Sequence, residues 1–279
     1  MSVNARVVEL VREISGNEIA TDDPIALDSL GHAELALAVE DEFGVWLPDG
    51  TAATTPREVA DAIRDRLGET ARTTPLRPGI GSLQLLGEAV LEPLLDRYYR
   101  LEVVGVGHVP ARGPAILASN HDSFVDIPLM GRACPRPVSF MAKEELFRTG
   151  FGRWFFHVLG GFPVGRERND LGSVRAALAV LRWGRVLGMY PEGTRSTRYL
   201  PFLAGTAWMA LLAGAPIVPL RMIGTRESMP PGVLWPRRSQ VRIVFGERIE
   251  PGWEANPRTR LARAREVTDE LRDAIARLG

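Results

Sequence analysis

Apolar residues recur at helical spacing at Val7, Leu10, Val11 and Ile14, again at Leu30, Leu35, Leu37, Val39 and Phe43, and again at Val59, Ile63 and Leu67. Three short helices are predicted, with breaks at Gly16, at Asp22-Asp23-Pro24, at Gly44 and at Pro48-Asp49-Gly50. Residues 69–79 are rich in Thr, Pro and Arg and carry no apolar period, which reads as a semi-extended linker. The expected organisation is a first domain at 1–69, a linker at 70–79 and a second domain at 80–279. In the second domain short β-branched runs alternate with helical stretches. Strands are predicted at 101–106, 115–119, 138–141, 162–164, 186–190, 217–222 and 241–245, and helices at 82–98, 170–183, 203–213 and 258–277. That alternation implies an α/β domain with its site at strand ends.

A length of 279 residues suffices for two domains that each bury a core. No apolar run reaches 18 residues, so no transmembrane helix is expected. The opening Met-Ser-Val-Asn-Ala-Arg lacks the signature of a signal peptide, and a cytoplasmic location is expected. A single cysteine, Cys134, excludes an intrachain disulfide framework and a thiolate-rich metal site, and no metal is expected. The net charge of zero hides an asymmetry. Residues 1–69 hold 15 acidic against 5 basic residues, a charge of −10, and the remainder carries +10. An acidic domain suits basic partners, whereas a basic one suits phosphate-bearing ligands or an anionic membrane surface. No nucleic-acid partner is expected.

Asp28 can cap the second helix, which leaves the Ser29 hydroxyl exposed at a helix N-terminus and placed to carry a phosphate. Asp-Ser-Leu at 28–30, the three-helix pattern, the −10 charge, the acidic second helix and the closing Glu-Phe-Gly-Val-x-Leu-Pro-Asp at 42–49 together resemble an acyl carrier protein. The resemblance covers about the first 70 residues. It implies a small all-α carrier bundle with 4′-phosphopantetheine on Ser29, and as partners a phosphopantetheinyl transferase and an acyl-loading enzyme. His32, one turn on, reads as a helix-surface residue.

Of the remaining histidines, His108 lies in a Gly- and Pro-flanked turn and His157 in an aromatic segment, and both read as structural. His121 follows an apolar strand and has Asp126 five residues on. In one continuous helix that spacing would turn the two side chains about 140° apart. A strand-to-helix junction removes the obstacle, and the carboxylate can then hold one imidazole nitrogen while the other acts as a general base. Two further strand ends are polar: Tyr190-Pro191-Glu192-Gly193-Thr194-Arg195-Ser196 and Gly161 to Arg166. Each presents a guanidinium that suits an anionic group.

In order and spacing these segments, with Ile217-Val218-Pro219-Leu220, resemble the four motifs of the glycerolipid acyltransferase family that contains 1-acylglycerol-3-phosphate acyltransferase. The resemblance spans about residues 95–250. It implies a mixed α/β sheet, His121 as catalytic base with Asp126 as its orienter, and Arg166 and the Glu192, Gly193, Thr194 and Arg195 turn as the grip on a glycerol phosphate. The implied co-substrates are an acyl-CoA or acyl-carrier thioester and a lysophosphatidic-acid-like acceptor at a membrane surface, reached from the cytoplasmic side. Two aromatic-rich stretches, 83–99 and 147–162, could touch the interface or pack in the core. This chain departs from the family pattern at Leu203, where a lysine is usual, and at Gly165, where an acid is usual. The alternatives are a non-phosphate acceptor, or a non-catalytic carrier and interaction protein.

Overall fold

The computed structural model describes residues 1–47, 53–67, 93, 95–164, 171–195, 201–230, 233 and 235–279. The expected linker at 70–79 and most of the expected helix at 82–98 lie outside the described residues.

The three N-terminal helices form where the apolar spacing places them: α1 Val3–Ser15, α2 Ser29–Phe43 and α3 Pro56–Arg66. Each starts on a capping side chain. Ser2, Asp28 and Thr55 accept from the backbone N–H of Ala5, Gly31 and Glu58, which satisfies donors the first turn leaves free. Leu67, expected in the third apolar stripe, lies past the end of α3 and is exposed.

Seven strands build one sheet: β1 Glu102–Val104, β2 Ala115–Ser119, β3 Val138–Lys143, β4 Gly161–Val164, β5 Val186–Met189, β6 Ile217–Ile223 and β7 Arg242–Phe245. Their order is β1-β7-β6-β2-β5-β3-β4. The five strands from β6 to β4 are mutually parallel, and β7 runs antiparallel to β6. The sheet is therefore mixed, as expected. The helices are α4 Asp126–Ala133, α5 Gly150–Val158, α6 Leu171–Arg182, α7 Gly205–Ala213, the single turn α8 Thr225–Ser228, and α9 Pro257–Arg277.

Side-chain alternation along the buried central strands sends Ile116, Ala118 and Leu187 to one core with α6, α7 and α9, and Leu117, Val186 and Val138 to another with α4. Helix α5 was not among the expected helices. Its two glycines and aromatic run give it a poor intrinsic propensity, and tertiary contacts decide it. The Thr149 hydroxyl caps it through Gly152 N–H at 3.0 Å, and a Cβ on Gly152 would come within 2.1 Å of the Leu146 carbonyl oxygen.

The N-terminal helices share the first of these cores. Helix α2 lies across the outside of the helix layer, touching α9, α7 and α6 in turn. Glu34, 1% exposed in the middle of α2, pairs with Arg260 of α9 and accepts from the indole N–H of Trp208 in α7. Arg260, 7% exposed, also donates to backbone carbonyls at Glu254 and Ala255. Toward the end of α2, Glu40 accepts from Arg175 Nε at 2.6 Å, and that guanidinium stands over the Trp46 ring. At its start Asp28 meets Arg265 at 2.9 Å. The Gly31 N–H first, and then Arg265, hold the Asp28 carboxyl below the usual carboxylate range. A cavity of about 740 Å³ remains between α2, α6 and the start of α9, on the face of the sheet away from α4.

Candidate active site

Strand β2 is buried along its whole length and delivers the chain to Asn120, whose amide extends the sheet by one rung. The Asn120 side-chain Oδ1 accepts from Met222 N–H at 2.9 Å, and the side-chain Nδ2 donates to the Met222 backbone carbonyl at 3.0 Å and to Asp122 Oδ2 at 2.6 Å. This clamp to the end of β6 fixes the junction in which His121 sits. Val125 starts the next helix, and Asp126 is its first residue.

The five-residue separation closes as the junction allows. His121 Nδ1 lies 2.9 Å from Asp126 Oδ2, which also accepts the backbone N–H groups of Asp122 and Ser123 at 2.8 Å each. Asp126 is fully buried and His121 is mostly so, with 14% of its side chain exposed. Three hydrogen-bond partners on one buried oxygen fix the orientation of the carboxylate. With Nδ1–H given to Asp126, the Nε2 lone pair is left as the basic position. The Asp122 and Ser123 N–H groups are occupied by Asp126 and so are not free to steady an oxyanion.

Tyr190, at the end of β5, stacks on the His121 ring with centroids 4.0 Å apart and planes 17° from parallel. Burial first, and then the Asp126 charge, push its hydroxyl pKa well above the usual tyrosine value, so it stays a neutral phenol. Sequence reasoning placed Tyr190 in a motif without giving it this role. The stack joins residues 69 positions apart, a distance over which spacing carries no signal.

The turn after Tyr190 is tight. Gly193 donates to the Tyr190 carbonyl at 2.9 Å with φ +70, a conformation that glycine adopts without strain. Glu192 is buried, whereas Gly193, Thr194 and Arg195 are exposed. The Arg195 guanidinium stands 5.9 Å from the centre of the Phe124 ring, three residues after His121, which brings the third motif to the first. Arg166 and Ser196 lie outside the described residues. Lys143 is exposed at the end of β3. His108 bonds the Phe245 carbonyl at 3.1 Å and is structural, and His157 is exposed at the end of α5 against Phe147. Among the described residues no group of three or more His, Cys, Asp or Glu could hold a metal ion, and no helix is long and apolar enough to cross a membrane.

A histidine held by a buried carboxylate at a parallel strand end thus stands beside an arginine-bearing turn. Residues 100–223 match the sequence family described as Acyltransferase. A 1-acyl-sn-glycerol-3-phosphate acyltransferase of Bacillus subtilis is 27% identical over 158 residues, 56% of this chain and 77% of that protein. The alpha enzyme of that name from Homo sapiens is 34% identical over 128 residues, 44% of this chain and 45% of its own length. With most of these relatives the match spans about half of their length or less. The crystal structure of the 1-acyl-sn-glycerophosphate (LPA) acyltransferase PlsC of Thermotoga maritima has the same fold, with a TM-score of 0.53 at 20% identity over 97% of this chain and 95% of that one.

Proposed function

We propose that the protein transfers a fatty acyl group from a thioester, on coenzyme A or on an acyl carrier arm, to the free hydroxyl of a lysophosphatidic-acid-like acceptor in phospholipid biosynthesis. The observation that carries this reading is the His121–Asp126 pair set against the Arg195 turn. His121 Nε2 takes the proton of the acceptor hydroxyl as its oxygen attacks the thioester carbonyl. The tetrahedral intermediate then collapses, the C–S bond breaks, and the departing thiolate recovers the proton from the imidazolium. Asp126 holds the ring and stabilises that imidazolium without itself being protonated. Arg195, and Arg166 by family resemblance, grip the acceptor's phosphate through charge-assisted hydrogen bonds. Because such an acceptor resides in a bilayer, the enzyme works as a peripheral protein at the cytoplasmic membrane face.

Arg195→Ala is expected to raise the KM for a phosphorylated acceptor by roughly 10- to 100-fold, the equivalent of one charged hydrogen bond of about 1.5–3 kcal/mol. Steady-state kinetics with phosphorylated and phosphate-free acceptors checks this. An unchanged KM for the phosphorylated acceptor, with a raised one for the phosphate-free acceptor, would transfer the reading to a non-phosphate lipid. The exposed Leu203 beside the same turn is the feature such an acceptor would use.

The N-terminal helices are read as an acyl carrier whose Ser29 bears 4′-phosphopantetheine. Support comes from the exposed Ser29 hydroxyl in the first turn of α2, just past the Asp28 cap. Incubation of the whole protein with a broad-specificity phosphopantetheinyl transferase and coenzyme A is expected to add one prosthetic group by intact mass, and Ser29→Ala to abolish the gain. A wild-type mass that never changes would end the carrier reading and leave acyl transfer untouched.

A further inference from the structure

The exposed apolar side chains near the site are not scattered. Phe151 and Trp154 of α5 are 73% and 49% exposed, and their rings lie 5.9 Å apart. Phe151 stacks on Phe155, Phe155 meets the buried Phe156 edge-on, and Phe156 meets Phe124, with centroid distances of 5.9, 5.4 and 6.2 Å. A continuous aromatic path thus runs from the surface of α5 to the residue three positions after His121. Arg195 also stands over the Phe124 ring, and the turn holding Arg195 packs its Gly193 against Leu203, itself 61% exposed.

We infer that Phe151, Trp154 and Leu203 form a collar that seats in the interfacial layer of a bilayer containing anionic phospholipid, so that the mouth of the site opens onto the lipid headgroups. Two physical arguments select this occupant over a protein partner. The collar is a short wedge on a helix whose remaining apolar residues sit in the domain, Phe156 and Val158 buried and Phe155 half-buried. Such a face gains from entering the acyl boundary to a depth of about 5–10 Å. Its border is also cationic. Among the described residues Lys143, Arg148, Arg153 and Arg195 are exposed around it, against the exposed carboxylates Glu144 and Glu145. Arginine stems can lie along the apolar surface while their guanidinium groups reach the lipid phosphates. An acceptor whose acyl chain stays in the membrane would then present its headgroup to Arg195 and its hydroxyl to His121 without leaving the bilayer. This inference rests on the membrane-resident acceptor proposed above.

The test is flotation of the full-length protein with vesicles of phosphatidylcholine, with and without phosphatidylglycerol. The wild type is expected to float with the anionic vesicles and to be released by salt. Phe151→Ser combined with Trp154→Ser should lower partitioning about tenfold or more. Arg148→Gln combined with Arg153→Gln should lower it by roughly thirtyfold on anionic vesicles, at about 1 kcal/mol per cation, and barely on neutral ones. Thermal unfolding controls for folding, and turnover on a short-chain acceptor dissolved as monomers is expected to be unchanged in both double variants. A wild type that does not float, an aromatic double variant that floats as well as the wild type, or a wild-type dimer that this variant converts to a monomer would each overturn the inference. A wild type that floats but never acylates the dissolved acceptor would count against the proposed reaction, with the docking surface intact.

Discussion

His121→Ala is expected to lower kcat by about 10²- to 10⁴-fold, the range for loss of a positioned general base, with the acceptor's KM changed little. The size follows from the geometry. The Nε2 position is the one basic atom the dyad leaves available, and a neutral acceptor hydroxyl attacks a thioester only slowly unless its proton is removed during attack. Binding should survive, because the phosphate contact is assigned to the Arg195 turn. Asp126→Asn should cost less, since imidazole remains, but the amide must orient toward three donors that a single carboxylate oxygen now accepts. Part of its effect should therefore appear as lost stability. Single-turnover kinetics on acyl-CoA separates the chemical step from product release, and an alanine variant with wild-type turnover would remove His121 from the reaction.

The second large effect is expected far from the chemistry. Glu34→Ala should destabilise the chain by about 3–5 kcal/mol, because it leaves the Arg260 guanidinium buried without its carboxylate. It also takes the acceptor from the Trp208 indole N–H. The exposed Asp28–Arg265 pair offers a contrast within the same interface. It is open to water and salt, and Asp28 is also the cap of α2, so Arg265→Ala should cost at most about 1 kcal/mol. Urea titration followed by tryptophan fluorescence compares the variants. Glu34→Leu with Arg260→Met should recover most of the loss, since an apolar pair of similar size avoids desolvating two charges. A Glu34→Ala midpoint equal to that of the wild type would mean that this contact does not hold the N-terminal helices to the acyltransferase domain.

Much of the architecture was legible along the chain because it depends on local period and local chemistry. Three short helices, seven strands within one or two residues of their positions, and the cap Asp28 follow from apolar spacing and a hydrogen-bonding side chain next to a helix start. Helix α5 escaped that reading because Gly150 and Gly152 weaken the local signal, and what holds it is packing of Phe156 on Phe147 and Phe124. At the site, the His121–Asp126 pair was legible because both residues belong to one junction. The ring of Tyr190, the clamp between Asn120 and Met222, and Arg195 over Phe124 were not, since each joins strands that are neighbours only in the sheet order.

The sequence by itself determined that the two parts carry opposite charge, −10 and +10, and that a histidine and an aspartate share a strand-to-helix junction. Charge totals are sums over residues, and a junction is a local event, so neither needs the fold. Only the tertiary structure decided which charges meet and what they surround. Glu34 reads as one more acid on an acidic helix, yet it is buried against Arg260, 226 positions away, because α2 lies across the helix layer. Phe151 and Phe156 belong to one aromatic run, and the 3.6-residue turn of α5 exposes the first and buries the second. Sequence fixes the identity of each side chain, but burial depends on which surfaces the chain brings together, and that is settled by packing over the whole domain.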